Sequence, residues 1–217
     1  MFETFQDPAT PHYYEGKHYK FNLMPEFFNP GPIKSPHLPI CVAAVNPYMC
    51  RLAGELCEGI FPHPICTAKF IKEVMLPAVG AGARKAQRQP SDIGVVVSPM
   101  IATGRTKSEV ERKKVFLKQR LGFYASTRSY HAPLELHGYL DVGQQLFELS
   151  MKGEWRAMID LVSDPMLDTF ATVATCDELG PKLKERWGDV ASTVHLDLPS
   201  EVREDAASVR RIIDALR

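Results

Sequence analysis

Pro39-Ile40-Cys41-Val42-Ala43-Ala44-Val45-Asn46-Pro47 is the stretch on which the reading of the fold turns. Residues 40–45 form an uninterrupted apolar run with a proline on either flank. An apolar run of that length, without alternation, predicts a strand buried on both faces, as in a parallel sheet. Pro47 stands where a helix tolerates proline, in its first turn, and Met49, Leu52, Ala53 and Leu56 follow as its apolar positions.

Downstream the same alternation of strand and helix continues. Gly59-Ile60-Phe61 predicts a short second strand. Thr67 is the expected N-cap of a long helix with Phe70, Val74 and Ala78 on one face, kinked at Pro77. Residues 93–101 predict a third, valine-rich strand. Thr106-Lys107-Ser108-Glu109 is a capping box, and Val110, Leu117, Leu121 and Tyr124 are the apolar stripe of the helix it opens. Residues 134–170 read as helical with a break at Lys152-Gly153, and Thr175-Cys176-Asp177-Glu178 is a second capping box before Leu179, Leu183 and Trp187. Val194-His195-Leu196-Asp197-Leu198 predicts a fourth strand, and a charged helix begins at Ser200. The order β-α-β-α-β-α-α-β-α implies a parallel sheet with right-handed crossovers. Four such strands suit either a small open α/β sheet or half of an eight-stranded barrel.

Upstream of residue 39 the chain reads as an irregular arm, interrupted by Pro8, Pro11, Pro25, Pro30, Pro32 and Pro36. Within it residues 14–21 predict a short hairpin. The expected organisation is therefore an arm, 1–38, and a folded portion, 39–217. The 26 basic residues balance the 26 acidic ones, which argues against a nucleic-acid partner needing surplus cations. No apolar h-region opens the chain and no apolar run approaches a membrane span, so a cytoplasmic protein without a membrane partner is expected. Five cysteines, an odd number scattered through core-like segments, point to reduced thiols. Cys50, Cys57, His63 and Cys66 lack the spacing of a compact metal knuckle, and no metal site is expected.

The quoted stretch, followed by Leu52-Ala53-Gly54-Glu55, Glu58-Gly59, Leu76-Pro77-Ala78-Val79 and Ala81-Gly82-Ala83, resembles the luciferase-like monooxygenase superfamily. The likeness is closest to its deazaflavin-dependent branch and extends to Val96-Val97-Ser98-Pro99, Phe123-Tyr124-Ala125-Ser126-Thr127 and Leu134-Glu135-Leu136-His137-Gly138. It implies a (β/α)8 TIM-barrel fold, here incomplete, with strands five to eight and their helices. The family's first four strands, with its usual acid–base residues, have no counterpart, and Met1 falls after the fourth strand. The implied function is an oxidoreductase using reduced FMN or deazaflavin coenzyme F-420 on a small organic substrate, incomplete as this chain. The alternative is a truncated, non-catalytic flavin-binding or interaction module. A half-barrel exposes strand edges, so a homo-oligomer or a complementing N-terminal half is the expected partner.

In a barrel the working face lies at the carboxyl ends of the strands. By resemblance, Ala43, Ala44, Val45 and Asn46 would bring backbone close to the cofactor, although Val45 and Asn46 stand where many relatives have glycine. His63, Thr67 and Lys69, around a strand exit and a helix start, are candidates for the cofactor's phosphate arm. His137 is the candidate substrate contact. His195 and Asp197 share one face of the last strand and read as a surface pair.

Overall fold

The computed structural model describes residues 2–7, 9, 10 and 13–216, in two compact units, 1–39 and 40–217. Met1, Pro8 and Pro11, to which the sequence assigned a position or a helix break, lie outside the described residues. In the first unit α1 (Phe2–Gln6) is a short helix where only irregular chain was expected. The hairpin is present as β1 (Tyr14–Glu15) and β2 (Lys20–Phe21), antiparallel, with Tyr14 opposite Phe21. Tyr19 and Phe27 remain 80% and 88% exposed, so this unit builds no apolar core around them.

The second unit begins with β3 (Cys41–Ala44), α2 (Pro47–Leu56) and β4 (Gly59–Pro62). Asn46 caps α2 by accepting the Met49 N–H at 3.0 Å, and Pro47 occupies the first turn. Thr67 caps α3 (Ala68–Phe70), which runs through a π-turn (Ile71–Met75) into α4 (Leu76–Lys85). The kink expected at Pro77 takes this form. Proline has no N–H to donate and its ring crowds the carbonyl four residues back, and one wide turn ahead of it absorbs both effects.

The third strand is two strands, β5 (Gly94–Val97) and β6 (Met100–Gly104), because Pro99 cannot donate to a ladder and Ser98-Pro99 breaks the run. After α5 (Lys107–Ala125), the segment 134–170 is helical and is broken at Lys152-Gly153, as expected, and it is divided at further points. It contains α6 (His131–Leu136), α7 (Leu140–Lys152), α8 (Ala157–Leu161) and α9 (Asp164–Phe170), and α7 ends at Gly153 in the left-handed region, φ 72°. β7 (Ala171–Thr175) follows, a strand the sequence reading did not separate from its helical neighbours. α10 (Cys176–Trp187) leads to β8 (Thr193–Val194), far shorter than the expected 194–198, then α11 (Ser200–Arg203) and α12 (Ala206–Leu216).

The main sheet has order β3-β4-β5-β8, all parallel, and β6 pairs with β7, also parallel. This is an α/β fold built on parallel strands. Register places Val42, Ile60 and Val95 across from one another, and Val97 beside Val194, on the face that the helices cover. The opposite face carries Cys41, Ala43, Phe61 and Thr193, which are exposed. The expectation that residues 40–45 are buried on both faces is thus corrected: only one face of this sheet lies under helices. No helix among the described residues is long and apolar enough to cross a membrane.

Candidate functional site

β3 and β4 end in register at Ala44 and Pro62, so the segments that follow them diverge from a common rim. Between them lies a cleft of about 340 Å³, near the lower end of ligand-site volumes. Ala43, Ala44, Val45 and Asn46 form one wall, with Met49 from α2. Phe61, His63 and Pro64 form the other, and Ser129 and Tyr130, beyond α5, close it. The structure therefore brings together five of the residues singled out from sequence. Asn46 reaches the cleft with its side-chain oxygen already committed to the cap of α2.

His63 is the one titratable imidazole in that lining. Its ring stacks on Tyr130, centroids 4.2 Å apart and planes 25° apart, and meets Tyr124 edge-on at 4.5 Å. Burial, with the Arg120 cation adding to it, pushes its pKa down to about 4. The ring is therefore neutral near pH 7. Nδ1 accepts the Ile65 N–H at 3.3 Å, which leaves the proton on Nε2. Arg120 donates from Nε to the Tyr124 hydroxyl at 3.0 Å and holds that ring in place.

Thr67, Lys69 and His137 are not among the residues lining this cleft. Thr67 is buried, and its hydroxyl accepts the Phe70 N–H at 3.1 Å while pairing with His137 Nε2 at 2.8 Å. With the hydroxyl proton given to Nε2, both groups are satisfied. His137 lies edge-on to Phe170 at 5.4 Å, and burial first, then Lys69, lowers its pKa. Lys69 itself is exposed. Thr67 and His137 thus form a pair of their own, joining the start of α3 to the end of α6.

Tyr124 and Tyr130 shape the site without having been singled out. Tyr124 read as part of the buried stripe of α5, but it is only half-buried and turns toward His63. Its place within Phe123-Tyr124-Ala125-Ser126-Thr127 was the available signal. At the exits of β5 and β8, Ser98 Oγ and His195 Nδ1 are 3.4 Å apart, and the His195 N–H bonds the Val97 carbonyl. Cys50 and Cys66 are core thiols, pushed by burial up to about 11 and about 12, and so held protonated.

The family described as luciferase-like monooxygenase matches residues 4–192. An uncharacterized protein of Mycobacterium tuberculosis is 33% identical over 181 residues, covering 83% of this chain and 53% of that protein. The 5,10-methylenetetrahydromethanopterin reductase of Archaeoglobus fulgidus is 28% identical over 179 residues, 79% of this chain and 50% of its own. Among solved structures, the coenzyme F-420-dependent tetrahydromethanopterin reductase from Methanopyrus kandleri shares the fold. Its TM-score is 0.65 at 22% identity, over 83% of this chain and 50% of that one. The chain spans about half the length of the curated relatives it matches. With the family matched across most of its length and the parallel α/β fold shared, this chain belongs to the luciferase-like monooxygenase family.

Proposed function

We propose that this chain supplies strands five to eight of a (β/α)8 barrel to an oxidoreductase that uses reduced FMN or coenzyme F-420 on a small organic substrate. The observation that carries this reading is the cleft itself. It sets Ala43, Ala44, Val45 and Asn46 against the His63 ring at the carboxyl ends of parallel strands. The residues fit a flat ring: small side chains on one wall admit its approach, and an aromatic pair, His63 on Tyr130, backs the other. They do not provide for a phosphate arm, since no cation lines the cleft. Lys69, exposed two residues beyond Thr67, is the one lysine among the residues proposed for that arm.

When bound, the reduced ring supplies a hydride or activates oxygen, which is the cofactor's chemistry. This chain's part is positioning. The wall at 43–46 offers backbone N–H and C=O groups, and neutral His63 offers an Nε2–H donor to the ring's polar edge or to the substrate. His137 holds Thr67 and with it the helix start. The open sheet face and the β3 edge call for cover by a second copy of the chain or by an N-terminal half.

A second reading, a binding module without turnover, draws on the lining too: it holds one imidazole and no carboxylate, so a general acid must come from elsewhere. The test is titration of the full chain with coenzyme F-420 and with FMN, following cofactor fluorescence. It is run alone and with the N-terminal half of the Mycobacterium tuberculosis relative. Saturable quenching that Ala43→Trp abolishes is expected. No saturable change in either setting overturns the cofactor reading, and turnover only in the mixture separates the enzyme from the binding module.

A further inference from the structure

A second concavity of about 340 Å³ lies between α5 and α8, outside the cleft lining. Phe116, Gln119, Arg120 and Phe123 of α5 form one side of it, and Trp155 and Met158 the other. Its aromatic side chains are open to water: Phe116 is 75% exposed, Phe123 54% and Trp155 48%. Three aromatic rings left uncovered in one patch are characteristic of a binding surface.

Charge selects the occupant. The lining contains one cation, Arg120, and no acid. The Nε–Tyr124 hydrogen bond at 3.0 Å orients the guanidinium fork. Asp197 forms a long ion pair with Nη1 at 3.9 Å, outside hydrogen-bond range, and its side chain is 65% exposed, so an incoming carboxylate has to share Arg120 with it or displace it. Among the described residues, then, no acid hydrogen-bonds the outer nitrogens, the pair of donors that a carboxylate engages bidentately.

We propose that this groove binds a small aromatic carboxylate, its ring against Phe116, Phe123 and Trp155 and its acid on Arg120. Burial of the ring supplies the attraction, and the guanidinium supplies the preference for an anion over a neutral isostere. Recognition here needs no cofactor and no second chain, although Arg120 also holds Tyr124 against His63 of the cleft, and the probe binding is therefore read without cofactor.

Isothermal titration calorimetry of the full chain with 2-naphthoate and with the neutral 2-naphthamide tests it. The acid is expected to bind saturably and at least about tenfold tighter than the amide. Arg120→Gln should erase that preference while leaving weak binding of both. Phe116→Asp, at an exposed position, should weaken the acid selectively by placing a like charge in the groove. Absence of saturable naphthoate binding overturns the proposal. So does equal affinity for the two probes, or a preference that survives Arg120→Gln.

Discussion

His63 shows how one side chain carries both a structural and a chemical consequence. Stacked on Tyr130 and partly buried, it holds a pKa of about 4 against the ordinary 6.5. The unfolded chain takes up this proton near pH 6.5, the fold only near 4, so the unfolded state binds more protons in between. Stability present above that window is lost as pH falls through it, by an amount on the order of 2–3 kcal/mol for such a shift. His137, also lowered by burial, contributes in the same direction. Urea unfolding between about pH 7 and about pH 4.5 should show the decline, with a shallower slope in His63→Gln. An equally steep decline in that variant would mean the imidazole is not held neutral. Nothing in Phe61-Pro62-His63-Pro64 discloses this environment, because Tyr130 reaches the ring from 67 residues away.

At the scale of elements, α2 and α4 approach through two glycines. A Cβ at Gly54 would lie 2.1 Å from the Val79 carbonyl oxygen, and one at Gly82 would lie 2.0 Å from that of Arg51. Both obstacles are backbone, which cannot swing aside as a side chain can. Gly82→Ala should therefore push the helices apart and cost about 1–3 kcal/mol, read as a lower urea midpoint. A shift within measurement error would show that the contact is loose. The same packing gives a physical cause for the small residues in Leu52-Ala53-Gly54 and Ala81-Gly82-Ala83. Other elements were legible through local chemistry. Asn46, Thr67 and Thr106 cap their helices through their own side chains, and Glu178 receives both the N–H and hydroxyl of Thr175. β7 was not, because Ala-Thr-Val-Ala-Thr is short and runs straight into helices on both sides. Long cations meet two of its carbonyls, Arg186 donating to that of Ala171 and Lys182 to that of Val173, while Arg186 also donates to the carbonyls of Asp168 and Thr169 at the end of α9.

For the whole molecule, the open sheet face is what distinguishes this chain's parallel sheet from one covered on both sides. Cys41 lies on that face and is exposed, whereas Cys50, Cys57, Cys66 and Cys176 are buried. A thiol-reactive chromophore should label one site rapidly in the native chain and all five only after denaturation, and Cys41→Ser should remove the fast phase. Adding an N-terminal half that covers the face should slow Cys41. Labelling of several thiols at the fast rate would show that the core opens more readily than this packing allows.

The alternation of apolar runs and helices, the caps and the charge balance follow from residues close in sequence, and local sterics and hydrogen bonding suffice to read them. The union of residues 43–46 with His63 was partly legible as well, since both follow consecutive parallel strands. The split of 93–101 at Pro99, the brevity of β8, the exposed face of β3 and the Thr67–His137 bond were not. Each depends on which surface a neighbour covers or on which distant group lies within bonding reach, and only the folded chain fixes those distances.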